Sequence, residues 1–392
     1  MSTIYDESLK KHKEWKGKLE IKLKEKITSE YDLSIAYTPG VAEPCRAISN
    51  DKKEVYNYTW KGNTIAVITD GSAVLGLGDI GAEASLPVME GKCILLKEFA
   101  NVNAVPICLG TKDTVEIINI CKAIAPTFGG INLEDISAPR CVEIERALIE
   151  ELNIPVFHDD QHGTAIVVTA ALINSLKLVN KKPEDLKVIV SGTGAAGSSI
   201  IRMISKLGIK EIYGFNINGT IIKEDIENYD FLTKELSEIV NPYMKRTTLS
   251  EEIIGCDVFI GVSAPNILTK EMVANMNKNA IVFAMANPDP EIKYEDAIAG
   301  GALIVGTGRS DFPNQINNVL AFPGLFKGAL ECRATKITEE MKMAAAVGIA
   351  SLIKDDELRP EYVVPSPFDK RVAEIVADEV KRVAIEFGIS QL

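Results

Sequence analysis

At 392 residues the chain is long enough for two hydrophobic cores, and its composition, 46% hydrophobic and 25% charged, is that of an ordered globular protein. A formal net charge of −12 excludes a broad nucleic-acid or anionic-membrane surface, because either needs a basic patch to neutralise phosphates. Seven scattered cysteines without a CxxC pair read as reduced thiols, neither a disulfide frame nor a zinc site. The charged start, Met1 to Trp15, lacks an apolar leader core, and no run of eighteen apolar residues follows. The expectation is therefore a cytoplasmic protein with no membrane or nucleic-acid partner.

In chain order, β-rich runs fall at 64–69, 104–109, 127–133 and 154–158, separated by helical patterns. A second series follows at 186–191, 211–216, 256–262, 280–284 and 303–306. The spacing predicts an α/β protein. Residues 1–161 form a parallel α/β unit, and residues 162–392 form a doubly wound, Rossmann-like unit. Two helices close the chain, one capped by Thr338 and one after Pro367 with Asp369 in its first turn.

The run 187–207, KVIVSGTGAAGSSIIRMISKL, places Gly192-Thr193-Gly194-Ala195-Ala196-Gly197 between a β-branched strand and an amphipathic helix. This is the context a dinucleotide fingerprint requires. Gly192 allows the tight turn, Gly194 the close approach of pyrophosphate, and Gly197 the packing of helix on strand. Where the fingerprint expects an acid to hold the ribose, the chain carries Asn216. Its amide bonds a hydroxyl but repels no phosphate, so NAD is expected with NADP also accepted. Lys223, the nearest downstream cation, reads as a solvated surface lysine.

Glu134-Asp135 follow one predicted strand of the first unit and Asp159-Asp160 the next, with one helix between them. A right-handed crossover of that length makes the strands parallel neighbours and gathers the acids on one rim. Carboxylates so close repel, and a hard divalent cation, Mg²⁺ or Mn²⁺, relieves them with oxygen ligands alone. Zinc on His158 and His162 would need a third nitrogen or sulfur ligand, which the sequence does not offer nearby. Helix N-capping would explain one acid of each pair, not both.

Several motifs coincide in order and spacing: Ala36-Tyr37-Thr38-Pro39-Gly40-Val41-Ala42, TDGSAVLGLGDIG at 69–81, Glu90-Gly91-Lys92, NLEDI at 132–136, FHDDQHGTA at 157–165, the glycine loop, Ala286-Asn287-Pro288, and INN with FPG at 316–324. Together they resemble the short microbial type of malic enzyme along essentially the whole chain. The resemblance implies oxidative decarboxylation of malate to pyruvate and CO2 with reduction of a nicotinamide dinucleotide, by a homodimer that shares catalytic groups between subunits. It implies Glu134, Asp135 and Asp160 as metal ligands with Asp159 beside them. It also implies Lys92 as the base on the C2 hydroxyl, Tyr37 as the acid that protonates C3, and Asn287 and Asn318 as substrate contacts with Asn317 adjacent.

The residues around Lys92 agree with that role. On a helix its neighbours Val88, Met89, Leu95 and Leu96 are apolar, so it points inward; it becomes a useful base only if its pKa falls, which desolvation or a nearby cation can cause. One departure concerns Ser72-Ala73, which stand where larger malic enzymes carry Glu-Arg, so no guanidinium is available from that segment for a substrate carboxylate. Two other readings share these motifs. A malolactic enzyme retains its NAD and returns lactate, and a non-catalytic malate or nucleotide sensor binds without turnover.

Overall fold

Strands β1 (Thr64–Thr69), β2 (Asn103–Cys108), β3 (Gly130–Leu133) and β4 (Val156–His158) form a wholly parallel sheet in the order β2-β1-β3-β4. All of β1, β3 and β4 is buried, as β-branched and aliphatic runs covered on both faces must be. A second sheet, ordered β10-β9-β8-β5-β6-β7, contains β5 (Lys187–Ser191), β6 (Glu211–Asn216), β7 (Gly219–Thr220), β8 (Val258–Gly261), β9 (Ile281–Ala284) and β10 (Ile304–Thr307). Only β7 runs antiparallel; this two-residue strand is too short to carry a pattern in the sequence. The computed structural model describes residues 3–74 and 76–392; Met1, Ser2 and Leu75, the last within the 69–81 motif, lie outside the described residues.

Each sheet reverses its winding once, between β1 and β3 in the first and between β5 and β8 in the second. Crevices open at the carboxyl ends of strands where this happens. The acid pairs border the first crevice and the glycine loop the second.

The helix Asp159–Val179 joins the two sheets. It begins at the acidic rim directly after β4 and then buries Ile166, Val167, Ala170 and Ala171 completely. Each large aliphatic side chain so buried contributes about 1.5–3 kcal/mol. By length and composition this helix would cross a membrane, yet 72% of its most apolar window is buried inside the protein. Positions 161 and 162 both lie within it.

At the C-terminus, Thr338 caps the helix Glu339–Ser351 by accepting from the Met341 N–H. The last helix, Arg371–Glu386, starts later than the sequence predicts. Asp369 lies ahead of its first turn, where its carboxylate accepts the Arg371 N–H at 3.0 Å and holds the Arg371 guanidinium. This helix lies tightly on the helix Phe322–Glu331. A Cβ on Gly324 or Gly328 would come within 2.6 and 2.5 Å of the Ala373 and Ala377 carbonyl oxygens. That close packing fixes Phe322 above the first sheet.

The N-terminal layer packs differently. Helices Ile4–Trp15, Glu30–Ala36 and Ala42–Asn50 bury no residue, and Ile4, Tyr5, Leu9, Tyr31, Leu33 and Ile35 are all more than half exposed. Together they leave an extended exposed apolar surface along the N-terminal layer.

Candidate active site

Register builds the acidic cluster. Because Leu133 pairs with His158 across β3 and β4, the residues that follow, Glu134-Asp135 and Asp159-Asp160, leave the sheet side by side. Glu134, Asp135 and Asp160 each present an oxygen, and the three oxygens lie within 4.8 Å of one another. Two hydrogen bonds hold the arrangement: the Asp135 N–H donates to Asp160 Oδ2 at 2.8 Å, and Asn132 Nδ2 donates to Glu134 Oε2 at 2.7 Å. Asp135 adopts a left-handed backbone, φ 52°, a strain of roughly 1 kcal/mol or more that is typical of functional turns.

Lys92, on the helix Ala82–Ala100, reaches this cluster from the opposite wall and is only 8% exposed. Its Nζ lies 2.6 Å from Asp159 Oδ2, 2.8 Å from Glu134 Oε1 and 4.4 Å from the centre of the Phe322 ring. Asn318 Nδ2 donates to the same Asp159 oxygen. Asp159 can fold back to meet both because residue 163 is glycine; a Cβ there would sit 2.0 Å from Asp159 Oδ1.

The charge does not balance. Burial works to lower the Lys92 pKa, but Asp159 and Glu134 outweigh it and hold the ammonium above its usual value. A useful base needs a lowered pKa, and here the two carboxylates in contact outweigh the effect of burial. Burial in turn pushes Asp159 up to about 6 and raises Glu134 and Asp160, against the pull of Lys92. One ammonium cannot neutralise four buried or half-buried carboxylates. Asp159 Oδ1 is also buried with no hydrogen-bond partner among the described residues.

A hard divalent cation fits this donor set. Ligand oxygens lie about 2.1 Å from Mg²⁺ and so span up to about twice that distance, leaving only a small side-chain adjustment. The alternative zinc pair is not set up as a site: His162 is engaged through both ring nitrogens, and no third nitrogen or sulfur ligand joins it among the described residues. His162 Nε2 is 2.9 Å from Glu145 and its Nδ1 3.0 Å from Lys342 Nζ, while buried His158 sits 3.5 Å from Asp160.

In the second crevice the glycines do what their positions require. Gly192 has φ 92°, and a Cβ on it would lie 2.5 Å from the Val262 carbonyl; a Cβ on Gly197 would lie 1.7 Å from the Gly192 carbonyl. Gly194 faces open space at the start of the helix Ala195–Lys206, leaving Thr193, Ala195 and Ala196 around a cradle that a pyrophosphate would fill. Glu291, fully buried, accepts from Ser263 N–H at 2.8 Å and Ala286 N–H at 3.0 Å, and so ties the loops after β8 and β9 together next to Asn287.

Other predicted residues lie apart from the cluster. Tyr37 ends the helix Glu30–Ala36, is 67% exposed, and its hydroxyl makes no hydrogen bond among the described residues. Asn287 bonds its own loop through the Met285 carbonyl, and Asn317 caps the turn that carries Asn318. Asn216 Oδ1 already accepts the Asn218 N–H, and Lys223 pairs with Glu238 on the surface.

Sequence reasoning overlooked Arg140. Its guanidinium contacts Asp70 at 2.8 Å and Ser72 and Ser137 at 3.0 Å, bracing the segment that lacks an arginine of its own. It also overlooked Glu145, although an acid three and four residues from buried Leu148 and Cys141 interrupts an apolar helix stripe and so signals a buried partner.

The shifts predict a pH dependence. Carboxylates raised above their unfolded values near 4 stabilise the metal-free fold at low pH and lose that contribution as pH rises through about 6. A cation that competes with those protons should bind more tightly at about pH 7.5 than at about pH 5.5 and raise the unfolding temperature more there. Calorimetric titration of Mn²⁺ at the two pH values checks this; equal affinities would contradict it.

Comparison with known proteins agrees with this geometry. Residues 16–115 match the family described as malic enzyme, N-terminal domain, and residues 161–385 match malic enzyme, NAD binding domain. The chain is 54% identical over 390 residues to the bifunctional malic/malolactic enzyme of Bacillus subtilis, covering 100% of this chain and 95% of that protein. It is also 54% identical to the NAD-dependent malic enzyme of Geobacillus stearothermophilus, covering 96% of this chain and 78% of that one. The crystal structure of NAD-dependent malic enzyme from Thermotoga maritima superposes with a TM-score of 0.92 at 47% identity, covering 95% and 98% of the two chains. Matched by both malic enzyme domain models and 54% identical over its whole length to a curated relative, the chain belongs to the malic enzyme family.

Proposed function

We propose that this chain is a divalent-metal-dependent malic enzyme that oxidises and decarboxylates (S)-malate to pyruvate and CO2, using NAD and accepting NADP. Lys92 against Glu134 and Asp159 at 2.8 and 2.6 Å is the observation that carries the reading. Residues 1–161 supply the substrate and metal side of the crevice, and residues 162–392 the dinucleotide side. Glu134, Asp135 and Asp160 would hold Mg²⁺ or Mn²⁺. A bound nicotinamide would supply the acceptor for the C2 hydride, and a bound cation would supply positive charge that polarises the C2 oxygen and offsets the carboxylates holding the Lys92 proton.

The chain's own residues do the rest. Lys92 passes its own proton to Asp159, 2.6 Å away, and then takes the C2 hydroxyl proton, while Asp159 with Asn318 fixes where its Nζ points. Asn287 and Asn318 donate to malate. The glycine loop seats the pyrophosphate, and Asn216 offers its amide nitrogen to the ribose. Phe322 closes the site over Lys92 and keeps water from it.

Tyr37 serves as the acid at C3 of a second subunit's site. Its exposure on an N-terminal surface that buries none of its helical residues supports a homodimer completed by exchange of this residue. On this reading Lys92→Ala and Tyr37→Phe are each nearly inactive, and mixing them under subunit exchange restores activity, because each hybrid dimer contains one intact site. No restoration on mixing, with hybrids demonstrated by mass, would contradict sharing.

A malolactic reading is the second possibility, favoured by the name of the Bacillus subtilis relative. Incubating the protein with malate, Mn²⁺ and NAD separates the two. The malic reading predicts pyruvate with stoichiometric NADH and loss of both on EDTA treatment; lactate without net NADH would replace it.

A further inference from the structure

The back of the acidic crevice is built as carefully as its front. Glu145, on the helix Arg140–Glu151, is 4% exposed and carries three bonds to the start of the helix Asp159–Val179. Its Oε1 accepts the His158 N–H at 2.9 Å, and its Oε2 accepts from Gln161 Nε2 at 3.2 Å and His162 Nε2 at 2.9 Å. Those three donors bracket Asp159 and Asp160 on both sides.

The chain of contacts continues outward. Lys342 Nζ, 6% exposed in its side chain, lies 3.0 Å from His162 Nδ1 and 2.8 Å from Glu339. An ammonium only donates, so Nδ1 accepts, and the imidazole carries its hydrogen on Nε2 and gives it to Glu145. Burial works to raise the Glu145 carboxyl, but contact with His162 and the charge of Lys342 hold it low, so it remains an anion and a full acceptor. This relay forms one wall of a cavity of about 720 Å³ between the two units, bordered by Arg146, Arg202 and Lys206.

We propose that Glu145 is a positioning residue of the metal site, which, backed by His162 and Lys342, fixes the first turn of the helix Asp159–Val179 so that Asp160 meets Glu134 and Asp135 and Asp159 meets Lys92. The geometry is specific to that task. Backbone and side-chain donors of 158, 161 and 162 all converge on one carboxylate, and the two residues left over are the acids that face the crevice. Partners one shell out from a metal ligand typically change affinity 10- to 100-fold when removed. The inference rests on the metal reading of the cluster.

The test is Mn²⁺ binding to metal-stripped protein, followed by calorimetry, for wild type, Glu145→Gln and Lys342→Met, with NAD binding measured on the same samples. Glu145→Gln keeps the shape but turns a donor toward one of three donors. We expect its Mn²⁺ affinity to fall on the order of tenfold while NAD affinity is retained, and Lys342→Met to show a smaller loss in the same direction. A merely structural role would lower the unfolding temperature and leave Mn²⁺ affinity of the folded protein unchanged. If both variants bind Mn²⁺ as wild type does, the inference is wrong; if Glu145→Gln does not fold, Lys342→Met decides alone. Wild type that binds no Mn²⁺ would overturn the metal reading itself, and this inference with it.

Discussion

Everything in this fold is arranged around an excess of buried negative charge. Glu134, Asp135, Asp159 and Asp160 meet at the tips of two adjacent strands, and the one ammonium in contact among the described residues is that of Lys92. Desolvation makes such a cluster costly, and the raised carboxyl groups express that cost directly. A dry acidic crevice with a protonated lysine is a poor catalyst by itself. On the proposed reading, a divalent charge would both relieve the acids and loosen the lysine proton, so that stability and chemistry would turn on the same ion.

The architecture delivers this charge to its reaction partner. Both sheets reverse winding, and both crevices open at strand carboxyl ends, one lined with acids and the other with glycine. The helix Asp159–Val179 spans the two, with Asp159 and Asp160 at its first turn and a largely buried body. Movement of either unit would be felt at Asp159. Contacts far from the reacting atoms therefore matter, among them the close glycine packing of the C-terminal helices that seats Phe322 and the carboxylate of Glu291 that joins the β8 and β9 loops.

Much of this was legible in the residues. Nine strands fall within a few positions of their predicted runs, because fully buried parallel strands leave long β-branched stretches. The glycine loop declares itself through its strand and helix flanks, and a single crossover argument brings Glu134 next to Asp159. What could not be read are properties of tertiary contact. The apolar neighbours of Lys92 show that it points inward, but its protonation is decided by two acids distant in sequence. Glu145, His162 and Lys342 come from three separate helices, so no local pattern links them. Tyr37 is the clearest case: its motif is plain, yet within one chain it stands exposed and away from the cluster.

Direct location of a bound ion tests the central claim most sharply. Crystals soaked in Mn²⁺ and measured at its absorption edge should give one strong anomalous peak within bonding distance of Glu134, Asp135 and Asp160. A peak on His158 and His162, or no ordered peak at the strand tips, would contradict it.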